Sequence, residues 1–377
     1  KQNEKVAGCL CHLASKRAGQ AGRYRAGHRC GGDCGMIPDR DDFRNIDIQA
    51  SIADMESLDM RPAGQLAKRT IDRRAEVDDG LNLPWCKLHG HLTLRKRELV
   101  LLGGFTGHFK TTITSQIGAY AMREGHKVGV CSLELNAEDI IEQFAEISAT
   151  CPRPPEEWLT RYCDWANDKL VIYDRLDSIK PHDAIRMAIK FAKPEKPENE
   201  KDGAGLGCRV IILDCLMMMG VCDDLERERE FVQTLKRVAA KFEVTIILVH
   251  HMKKPQGETG EHSAPGKYQF NGSSHISNTP DTILVAWHDK RQAALRAKVE
   301  DMGVDDENYD SSKRDMLLSC VKQRNGKYEG AISLWQAGHR KMDRWVSCRA
   351  FVDRADRKIK AFDPPANLKV VGDGIPF

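Results

Sequence analysis

The region from residue 81 to about residue 345 alternates short apolar runs with stretches of helical periodicity. Most of the runs are rich in Val, Ile and Leu and lack the polar alternation of a half-exposed strand, which is typical of strands buried on both faces of a mostly parallel sheet. Because helical stretches at 111–124 and 227–242 lie between the runs, the rhythm predicts a doubly wound α/β domain with flanking helices. The predicted strands are 98–102, 127–133, 169–173, 209–213, 244–249, 282–286, 316–321 and 331–335.

The two ends of the chain differ from this region. Gly, Arg and Cys dominate the start, and residues 43–74 show amphipathic helical periodicity, so residues 1–80 are predicted to form a small N-terminal linker and helical region. Residues 346–377 are predicted to be a C-terminal tail. Within the α/β region, the polar stretches 194–207 and 256–277 are predicted loops. The second of them follows a strand end, where open α/β sheets bind their ligands.

Composition narrows the classes of protein without choosing one. Hydrophobic residues make up 41% and charged residues 30% of the 377 residues, which suffices for a packed core and argues against wholesale disorder. The net charge is only +3, so nucleic-acid binding has to be argued from local sites. The thirteen cysteines are odd in number and lie partly within apolar runs, which predicts reduced thiols rather than a disulfide framework.

The sequence also bears on location. No stretch approaches the ~20 apolar residues that a membrane span needs, so we expect a cytoplasmic protein without a membrane partner. The first residue is Lys1 rather than Met, which leaves room for an upstream region. We see no internal repeat.

A candidate phosphate loop, GGFTGHFKTT, occupies residues 103–112 between a predicted strand and a predicted helix. Backbone N–H groups at such a helix start can hold phosphate oxygens, Lys110 would reach the β- and γ-phosphates, and the Thr111 hydroxyl would bind Mg²⁺. Phe109 stands where the usual pattern has glycine, which leaves open a plain strand-to-helix turn. The predicted nucleotide-binding residues are Gly104, Phe105, Thr106, Gly107, His108, Phe109, Lys110, Thr111 and Thr112.

Polar residues end three further predicted strands. Glu134 could polarise an attacking water, and Asp214 could support the Mg²⁺ ion. His250 and His251 could sense the γ-phosphate and pass its state to the loop that follows. Each has a plainer alternative, a solvated or capping residue at a strand end, so that their order along the chain carries the weight.

A basic pair, Lys322 and Arg324, follows the predicted strand 316–321. Such a pair could contact the γ-phosphate bound by a neighbouring subunit, where it would stabilise transition-state charge. The alternative is an exposed hairpin turn at Asn325-Gly326. Both interpretations can hold together.

Taken in order, these motifs resemble the RecA-like helicase domain of DnaB-type replicative helicases, with phage primase–helicases and Twinkle-type proteins the most similar. The resemblance covers roughly residues 80–345. It is carried by five stretches: GLNLPWCKLHGHLTLRKRELVLLGGFTGHFKTT, KVGVCSLEL, VIILDCLMMM, IILVHHMKKP with the following FNGSSHISNTPDTILVAW, and VKQRNGKYEG.

The resemblance implies an ATP- and Mg²⁺-dependent DNA helicase of phage or prophage origin in a bacterial host. It implies a hexameric ring that moves 5′→3′ on single-stranded DNA, with His251 as the sensor, His250 as the fallback, and Lys322 and Arg324 acting on the neighbouring subunit. DNA would contact two loops, at 217–229 and 253–274, and Ser274 stands where the family often has glycine. The candidate DNA-binding residues are Lys253, Lys254, Lys267, Asn271, Gly272 and Ser273.

Two alternatives stay open at this point. A recombinase-like or loader ATPase would share the core without forming a helicase ring. A hydrolysis-deficient, nucleotide-binding scaffold would result if Phe109 blocked the pocket. No Toprim-type primase core is visible in the sequence, although phage relatives often carry one upstream.

Both termini carry further candidate sites. Two clusters, Cys9-x-Cys11-His12 and His28-x-Cys30-x3-Cys34, could supply four zinc ligands, although the spacing is uncommon and a basic linker is the alternative. The chain ends in Ile375-Pro376-Phe377 after acidic residues, which resembles tips that dock a polymerase, primase or other replisome partner. A frayed terminus is the alternative there.

Overall fold

The computed structural model describes residues 61–76, 80–195, 204–222, 224–253, 263–272, 274–341 and 344–365. Nine strands form one sheet in the order β11-β10-β9-β8-β3-β7-β6-β4-β5. The N-terminal Cys/His clusters and the Ile-Pro-Phe tip lie outside the described residues. The strands of this sheet are β3 Leu99–Gly104, β4 Val128–Ser132, β5 Leu170–Ile172, β6 Val210–Asp214, β7 Thr245–His251, β8 Thr282–His288, β9 Met316–Gln323, β10 Gly330–Lys341 and β11 Arg344–Val352.

Six of these strands, β8-β3-β7-β6-β4-β5, are parallel to one another. Every residue of β3, β4 and β6 is buried, as expected for strands covered on both faces. The predicted parallel α/β core is therefore confirmed, with each of its strands within a few residues of the predicted position. The carboxyl ends of these strands form one edge, which we call the carboxyl edge.

Helices cover both faces of the sheet and create two hydrophobic clusters. On one face, Lys110–Arg123 and Ala137–Ala149 pack closely because Gly118 leaves room for the ring of Phe144. On the other face lie Pro181–Ala192 and Leu225–Phe242. The remaining helices are Glu156–Ala166, Ser274–Asn278 and Lys290–Arg296.

The sheet continues past the parallel strands as an antiparallel extension, β9-β10-β11. Strand β11 begins at Arg344 and ends at Val352, so it crosses the predicted domain end at 345 and occupies the start of the predicted tail. The sequence concealed this strand because buried Cys348 and Ala350 alternate with exposed Arg349, and a short half-exposed run carries a weak signal. The domain therefore includes residues that we had expected to lie outside it.

The residues before β3 also belong to this domain. A two-stranded ladder pairs β1, Leu81–Asn82, with β2, Thr93–Leu94. The buried Trp85 between them donates its indole N–H to the carbonyl of Phe351 at 2.9 Å. This bond ties the start of the domain to β11.

From Lys68 onward the chain forms one compact unit. The helix Ala63–Glu76 follows Pro62 and includes the last part of the predicted helical stretch 43–74. Its described side chains are mostly exposed. Among the helices that the structure describes, none combines the length and apolar character needed to cross a membrane.

Candidate nucleotide site

The phosphate loop lies between the central strand β3 and the helix Lys110–Arg123, in the predicted context. Gly104 ends the strand, and a Cβ there would lie 2.7 Å from the carbonyl oxygen of Ala286, so glycine is required. Thr106 and Gly107 form the exposed tip, where Gly107 has a φ of 76°. Below the tip lie the buried residues Phe105, His108, Lys110 and Thr112.

Phe109, the departure from the usual pattern, has the backbone conformation that glycine normally supplies. Its φ of 57° and ψ of 27° lie in the left-handed region, which costs a non-glycine residue about 1–2 kcal/mol. The ring packs edge-on against His288 at 4.7 Å and Phe351 at 5.3 Å between ring centroids. The Phe109 side chain therefore belongs to an aromatic cluster with β8 and β11, which offsets part of the backbone strain.

Two residues that the sequence did not single out hold this cluster. Phe351 exchanges two hydrogen bonds with the buried amide of Gln116 in the phosphate-loop helix: its N–H donates to Oε1 at 3.0 Å and its carbonyl accepts from Nε2 at 2.7 Å. The backbone N–H of His288 donates to His108 Nδ1 at 3.0 Å. The antiparallel part of the sheet thus supports the phosphate loop from behind.

Thr111 and Asp214 lie together at the carboxyl edge. The Thr111 hydroxyl donates to Asp214 Oδ2 at 2.6 Å. Burial raises the pKa of Asp214 to about 6. Hydroxyl and carboxylate oxygens are the donors that Mg²⁺ prefers, and a bound cation would hold this buried carboxylate in its ionised form. The two residues therefore fit the predicted metal role.

Lys110, His251 and Glu134 form a continuous chain of contacts. Lys110 Nζ donates to the carbonyl of Phe105 at 3.0 Å and lies 3.3 Å from His251 Nδ1. His251 Nε2 lies 3.5 Å from Glu134 Oε1. This network fits a neutral imidazole that accepts at Nδ1 and donates at Nε2, an assignment made from the partners. The three predicted residues are thus brought together although they come from three different strand ends.

The charges in this chain are set by its surroundings. The hydrogen bond from His251 is the main cause that lowers the pKa of Glu134 to about 2. Burial lowers the pKa of Lys110 below its ordinary value. At neutral pH, Glu134 is therefore an ionised carboxylate, the form needed to orient and polarise a water molecule.

Cys215, which sequence reasoning did not select, also faces Glu134. Its thiol donates to Glu134 Oε1 at 3.1 Å, and burial raises the pKa of Cys215 to about 12. The Oε, Sγ and imidazole N atoms of Glu134, Cys215 and His251 lie within 4.8 Å of one another. The only sequence signal was the position of Cys215 directly after Asp214.

His250 and His251 point to opposite faces of β7, as neighbouring strand residues do. His250 is buried, and its Nε2 donates to the carbonyl of Asn271 at 2.8 Å. Burial lowers the pKa of His250 to about 4, so its ring is neutral at physiological pH. His251 therefore faces the nucleotide site while His250 faces the loop predicted to bind DNA.

The described part of that loop folds back along the end of β7. Met252 forms an isolated antiparallel bridge with Phe270, and Lys253 N donates to the carbonyl of Gln269 at 2.8 Å. Asn271 N donates to the carbonyl of His251 at 3.2 Å. Of the predicted DNA-binding residues, Lys253, Asn271 and Gly272 are exposed, Lys267 is half-buried, and Lys254 and Ser273 lie outside the described residues.

The other predicted DNA loop, 217–229, contains a 3-10 turn at Leu216–Met219 and the start of the helix Leu225–Phe242. Asp224 caps this helix by accepting hydrogen bonds from the backbone N–H groups of Glu226 and Arg227. The stretch is thus partly ordered by its own chain.

Lys322 and Arg324 lie at the opposite edge of the sheet from the phosphate loop. Strand β9 is antiparallel to β8, so Gln323 pairs with Thr282 at the start of β8. The seven residues of β8 span about 20 Å between the two edges. The structure therefore separates this predicted pair from the other predicted nucleotide residues of the same chain.

Both basic side chains bind the end of the helix that follows the DNA loop. Lys322 Nζ donates to the carbonyls of Ser277 at 3.0 Å and Asn278 at 2.7 Å. Arg324 donates to the carbonyl of Asn278 at 3.1 Å and lies 3.4 Å from the carboxylate of Asp281. Desolvation is the main cause that lowers the pKa of Lys322 to about 8.

No protein-family model matches the chain. Over 226 residues, the chain is 25% identical to a DNA helicase/primase of Enterobacteria phage T3. The match covers 54% of this chain and 38% of that relative, so the chain spans well under half of the length of the curated relative.

Two solved structures are similar in fold. One, a structure of an isolated ATPase domain, superposes with a TM-score of 0.54 at 16% identity, covering 75% of this chain and 98% of that one. The other, a structure of a DnaB-like replicative helicase and its interactions with primase, gives a TM-score of 0.52 at 15% identity, covering 79% of this chain and 71% of that one. The resemblance predicted from the ordered motifs is thereby confirmed, and the chain carries a RecA-like domain similar to those of DnaB-like helicases.

Proposed function

We propose that this chain is the ATP-hydrolysing motor of a replicative DNA helicase. The observation that carries the proposal is the contact chain from Lys110 through His251 to Glu134, with Thr111 and Asp214 beside it. All five residues meet at the carboxyl edge, where open α/β sheets bind ligands. The match to a phage DNA helicase/primase and the likeness to DnaB-like helicases support the same activity.

Each residue has a role that follows from its position. Lys110 would leave His251 for the β- and γ-phosphates, and the N–H groups of the loop would hold the remaining oxygens. Thr111 and Asp214 would hold a Mg²⁺ ion, which when bound neutralises charge on the phosphates. Glu134, ionised at neutral pH, would orient the attacking water.

His251 would report the state of the γ-phosphate to the DNA loop. When Lys110 turns to the nucleotide, His251 loses one of its two side-chain partners. The backbone carbonyl of His251 accepts from Asn271 N, and the adjacent His250 holds the Asn271 carbonyl. A shift at the end of β7 therefore passes directly to the loop, because both hydrogen bonds end on the same residue.

Lys322 and Arg324 would complete the site of a neighbouring subunit. Their position across the sheet from the phosphate loop excludes direct contact with nucleotide bound to their own chain. We accordingly propose a ring of subunits, hexameric as in the family, that encloses single-stranded DNA and moves 5′→3′. Replisome partners such as a primase or polymerase, docking through the C-terminal tip, and a phage or prophage origin in a bacterial cytoplasm belong to the same proposal.

The scaffold alternative required Phe109 to obstruct the pocket. Its ring packs against His288 and Phe351 instead, which supports access of nucleotide to the loop. The recombinase or loader alternative shares every residue of the catalytic centre. Electron microscopy of the protein with ATP and single-stranded DNA separates rings from filaments.

The test of the proposed function is the ATPase rate with and without single-stranded DNA. We expect basal hydrolysis that single-stranded DNA stimulates, and its loss in Lys110→Ala. Lys313→Ala, which alters an exposed lysine shortly before β9, is the control for a change of one positive charge. A Lys110→Ala protein that hydrolyses ATP at the unaltered rate would overturn the assignment.

A further inference from the structure

Glu134, Cys215 and His251 form a three-ligand cluster of a kind that the ATPase mechanism does not require. We call it the Glu–Cys–His cluster. Carboxylate oxygen, thiolate sulfur and imidazole nitrogen are the three donors from which protein zinc sites are built. Cys215 contributes the one donor with no part in the proposed hydrolysis.

The distances within the cluster match tetrahedral coordination. With metal–ligand bonds of about 2.0–2.3 Å, neighbouring ligand atoms of a tetrahedral zinc ion lie about 3.3–3.5 Å apart. Here the Cys215 Sγ to Glu134 Oε1 distance is 3.1 Å and the His251 Nε2 to Glu134 Oε1 distance is 3.5 Å. The ligands need to move by only a few tenths of an ångström, because they already surround a common point.

We propose that the Glu–Cys–His cluster binds a thiophilic divalent cation of the Zn²⁺ class and that this binding inhibits the ATPase. Binding releases the thiol proton of Cys215 to solvent. Coordination through His251 Nε2 leaves the imidazole proton on Nδ1, so Lys110 loses this partner and keeps the Phe105 carbonyl. Glu134 and His251 are then held by the cation, and neither can act on water or report the γ-phosphate.

Absorption spectroscopy with Co²⁺ tests the site without reference to activity. Titrated into the nucleotide-free chain, Co²⁺ should produce a thiolate-to-metal charge-transfer band, part of which Cys215→Ser removes. The difference between the two proteins isolates this site, because the chain contains thirteen cysteines. Cys222→Ser, seven residues further on and outside the cluster, should leave the band unchanged.

Inhibition by Zn²⁺ provides the second measurement. We expect half-inhibition of Cys215→Ser to need at least about 100-fold more Zn²⁺ than the unaltered chain, because a ligand contributes more than the partners behind it. Identical spectra and identical inhibition in the two proteins would overturn the proposal. Should Cys215→Ser fail to fold, His251→Gln must weaken the Co²⁺ band, and an unweakened band counts equally against it. Because the spectra need no ATP hydrolysis, this proposal and the proposed function fail separately.

A different observation concerns the tip of the DNA loop. Gly266 and Gln269 close a tight turn, in which Gln269 N donates to the Gly266 carbonyl at 3.1 Å and Gly266 N donates to Gln269 Oε1 at 2.6 Å. Lys267 and Tyr268 are its two central residues. Tyr268 is 78% exposed, and Lys267 Nζ lies 5.2 Å from the centroid of its ring. An ordered turn thus presents a flat ring and a cation to solvent.

The turn is connected to the nucleotide site by a short path. Its returning strand pairs with Met252 and Lys253 and ends at Asn271, which bonds to His251 and His250. Aromatic rings beside basic groups are the general means by which proteins hold single strands without reading their sequence. The Lys267–Tyr268 tip therefore has both the chemistry and the mechanical connection of a strand-gripping element.

We infer that Tyr268 stacks on a base of the single strand while Lys267 contacts an adjacent phosphate, an inference that rests on the proposed function. An oligonucleotide with 2-aminopurine should be quenched by the unaltered protein and by Tyr268→Phe, which keeps the ring. Tyr268→Ala should lose the quenching and bind about 5- to 100-fold more weakly. Met302→Ala, which alters another exposed side chain at 75% exposure, is the control.

The outcomes separate the two levels of the argument. If the unaltered protein binds no single-stranded DNA, the proposed function fails. If it binds and Tyr268→Ala retains both the affinity and the quenching, the stacking role of Tyr268 is wrong while the proposed function stands.

Discussion

The two edges of the sheet carry predicted nucleotide residues in opposite conditions. At the carboxyl edge, Lys110, Thr111, Glu134, Asp214 and His251 contact one another within a single chain. At the other edge, Lys322 and Arg324 contact only their own chain's helix end and Asp281 among the partners described above. The first group can bind nucleotide alone, whereas the second group can reach a phosphate only in another subunit.

The difference has a consequence for the DNA loop between the edges. The loop leaves β7 beside His251 and returns through the helix Ser274–Asn278, whose carbonyl end Lys322 and Arg324 hold. One end of the loop is thus attached to the nucleotide site of its own chain. The other end is attached to the pair that we propose to act on the neighbour, so a move of the pair toward a phosphate would release it.

The largest expected effect comes from Arg324→Ala. If Arg324 acts on the neighbour, its removal should lower the DNA-stimulated ATPase rate about 10³-fold or more, because it stabilises transition-state charge. Nucleotide binding by the separate chain should be retained. The measurement is steady-state hydrolysis at saturating ATP, with Arg314→Ala, an exposed arginine before β9, as the matched control.

Mixing two inactive proteins decides between the edges. Subunits with Glu134→Gln keep the basic pair, and subunits with Arg324→Ala keep the catalytic carboxylate. If the pair acts across an interface, the mixture regains hydrolysis at sites that combine the two intact halves. A mixture as inactive as its components would remove the contrast between the two edges.

Glu134→Gln should lower the hydrolysis rate about 10²- to 10⁴-fold, since the amide cannot accept a proton from water. ATP affinity should change little, because Lys110 and the loop N–H groups remain. Glu138→Gln, an exposed glutamate in the first turn of the next helix, provides the control. Single-turnover hydrolysis and nucleotide binding are measured on the same preparations, and a rate close to that of Glu138→Gln would exclude Glu134 as the base.

The carboxyl edge could be predicted from sequence because parallel strands bring their ends together. Once β3, β4, β6 and β7 were placed, the residues that follow them had to meet. Cys215 escaped because nothing in a single sequence marks a thiol beside a carboxylate. Phe351, Gln116 and His288 escaped because they support the loop through contacts between residues far apart in sequence.

The opposite edge shows the limit more sharply. Lys322 and Arg324 were recognised by resemblance, but their sequence position gave no indication of which edge they occupy. That depends on the antiparallel turn of β9 against β8, and the start of the antiparallel extension looks the same in sequence as another parallel strand. The late strand β11 was missed for a related reason, since its half-exposed alternation resembles a polar tail.

His250 offers a pH-dependent test of the link between the nucleotide edge and the DNA loop. Its pKa, about 4 in the folded chain, lies below the ordinary value of 6.5, so the unfolded chain binds a proton first as the pH falls. Stability is therefore complete above pH 6.5 and is lost progressively toward pH 4, by about 2 kcal/mol at pH 5.

Urea unfolding of the unaltered chain and of His250→Gln at pH 7.5 and pH 5 measures this effect. The glutamine can still donate to the Asn271 carbonyl but does not titrate, so the stability difference between the proteins should shift by about 2 kcal/mol in favour of His250→Gln at the lower pH. An unchanged difference would mean that His250 titrates normally and is not held against the loop.

The smallest expected effect is that of Phe109→Gly, and it asks whether the carboxyl edge depends on its unusual loop residue. Glycine relieves the left-handed backbone strain by about 1–2 kcal/mol. It also removes the edge-on contacts with His288 and Phe351, and burial and aromatic packing of this kind contribute about 2–4 kcal/mol together. The net result should be a chain that is less stable by about 1–2 kcal/mol, with ATP affinity within about threefold of the unaltered value. Thermal unfolding and nucleotide titration measure the two quantities separately. A large gain in ATP affinity would instead show that the Phe109 side chain obstructs the phosphate site, and the carboxyl edge would then be less complete than its contacts indicate.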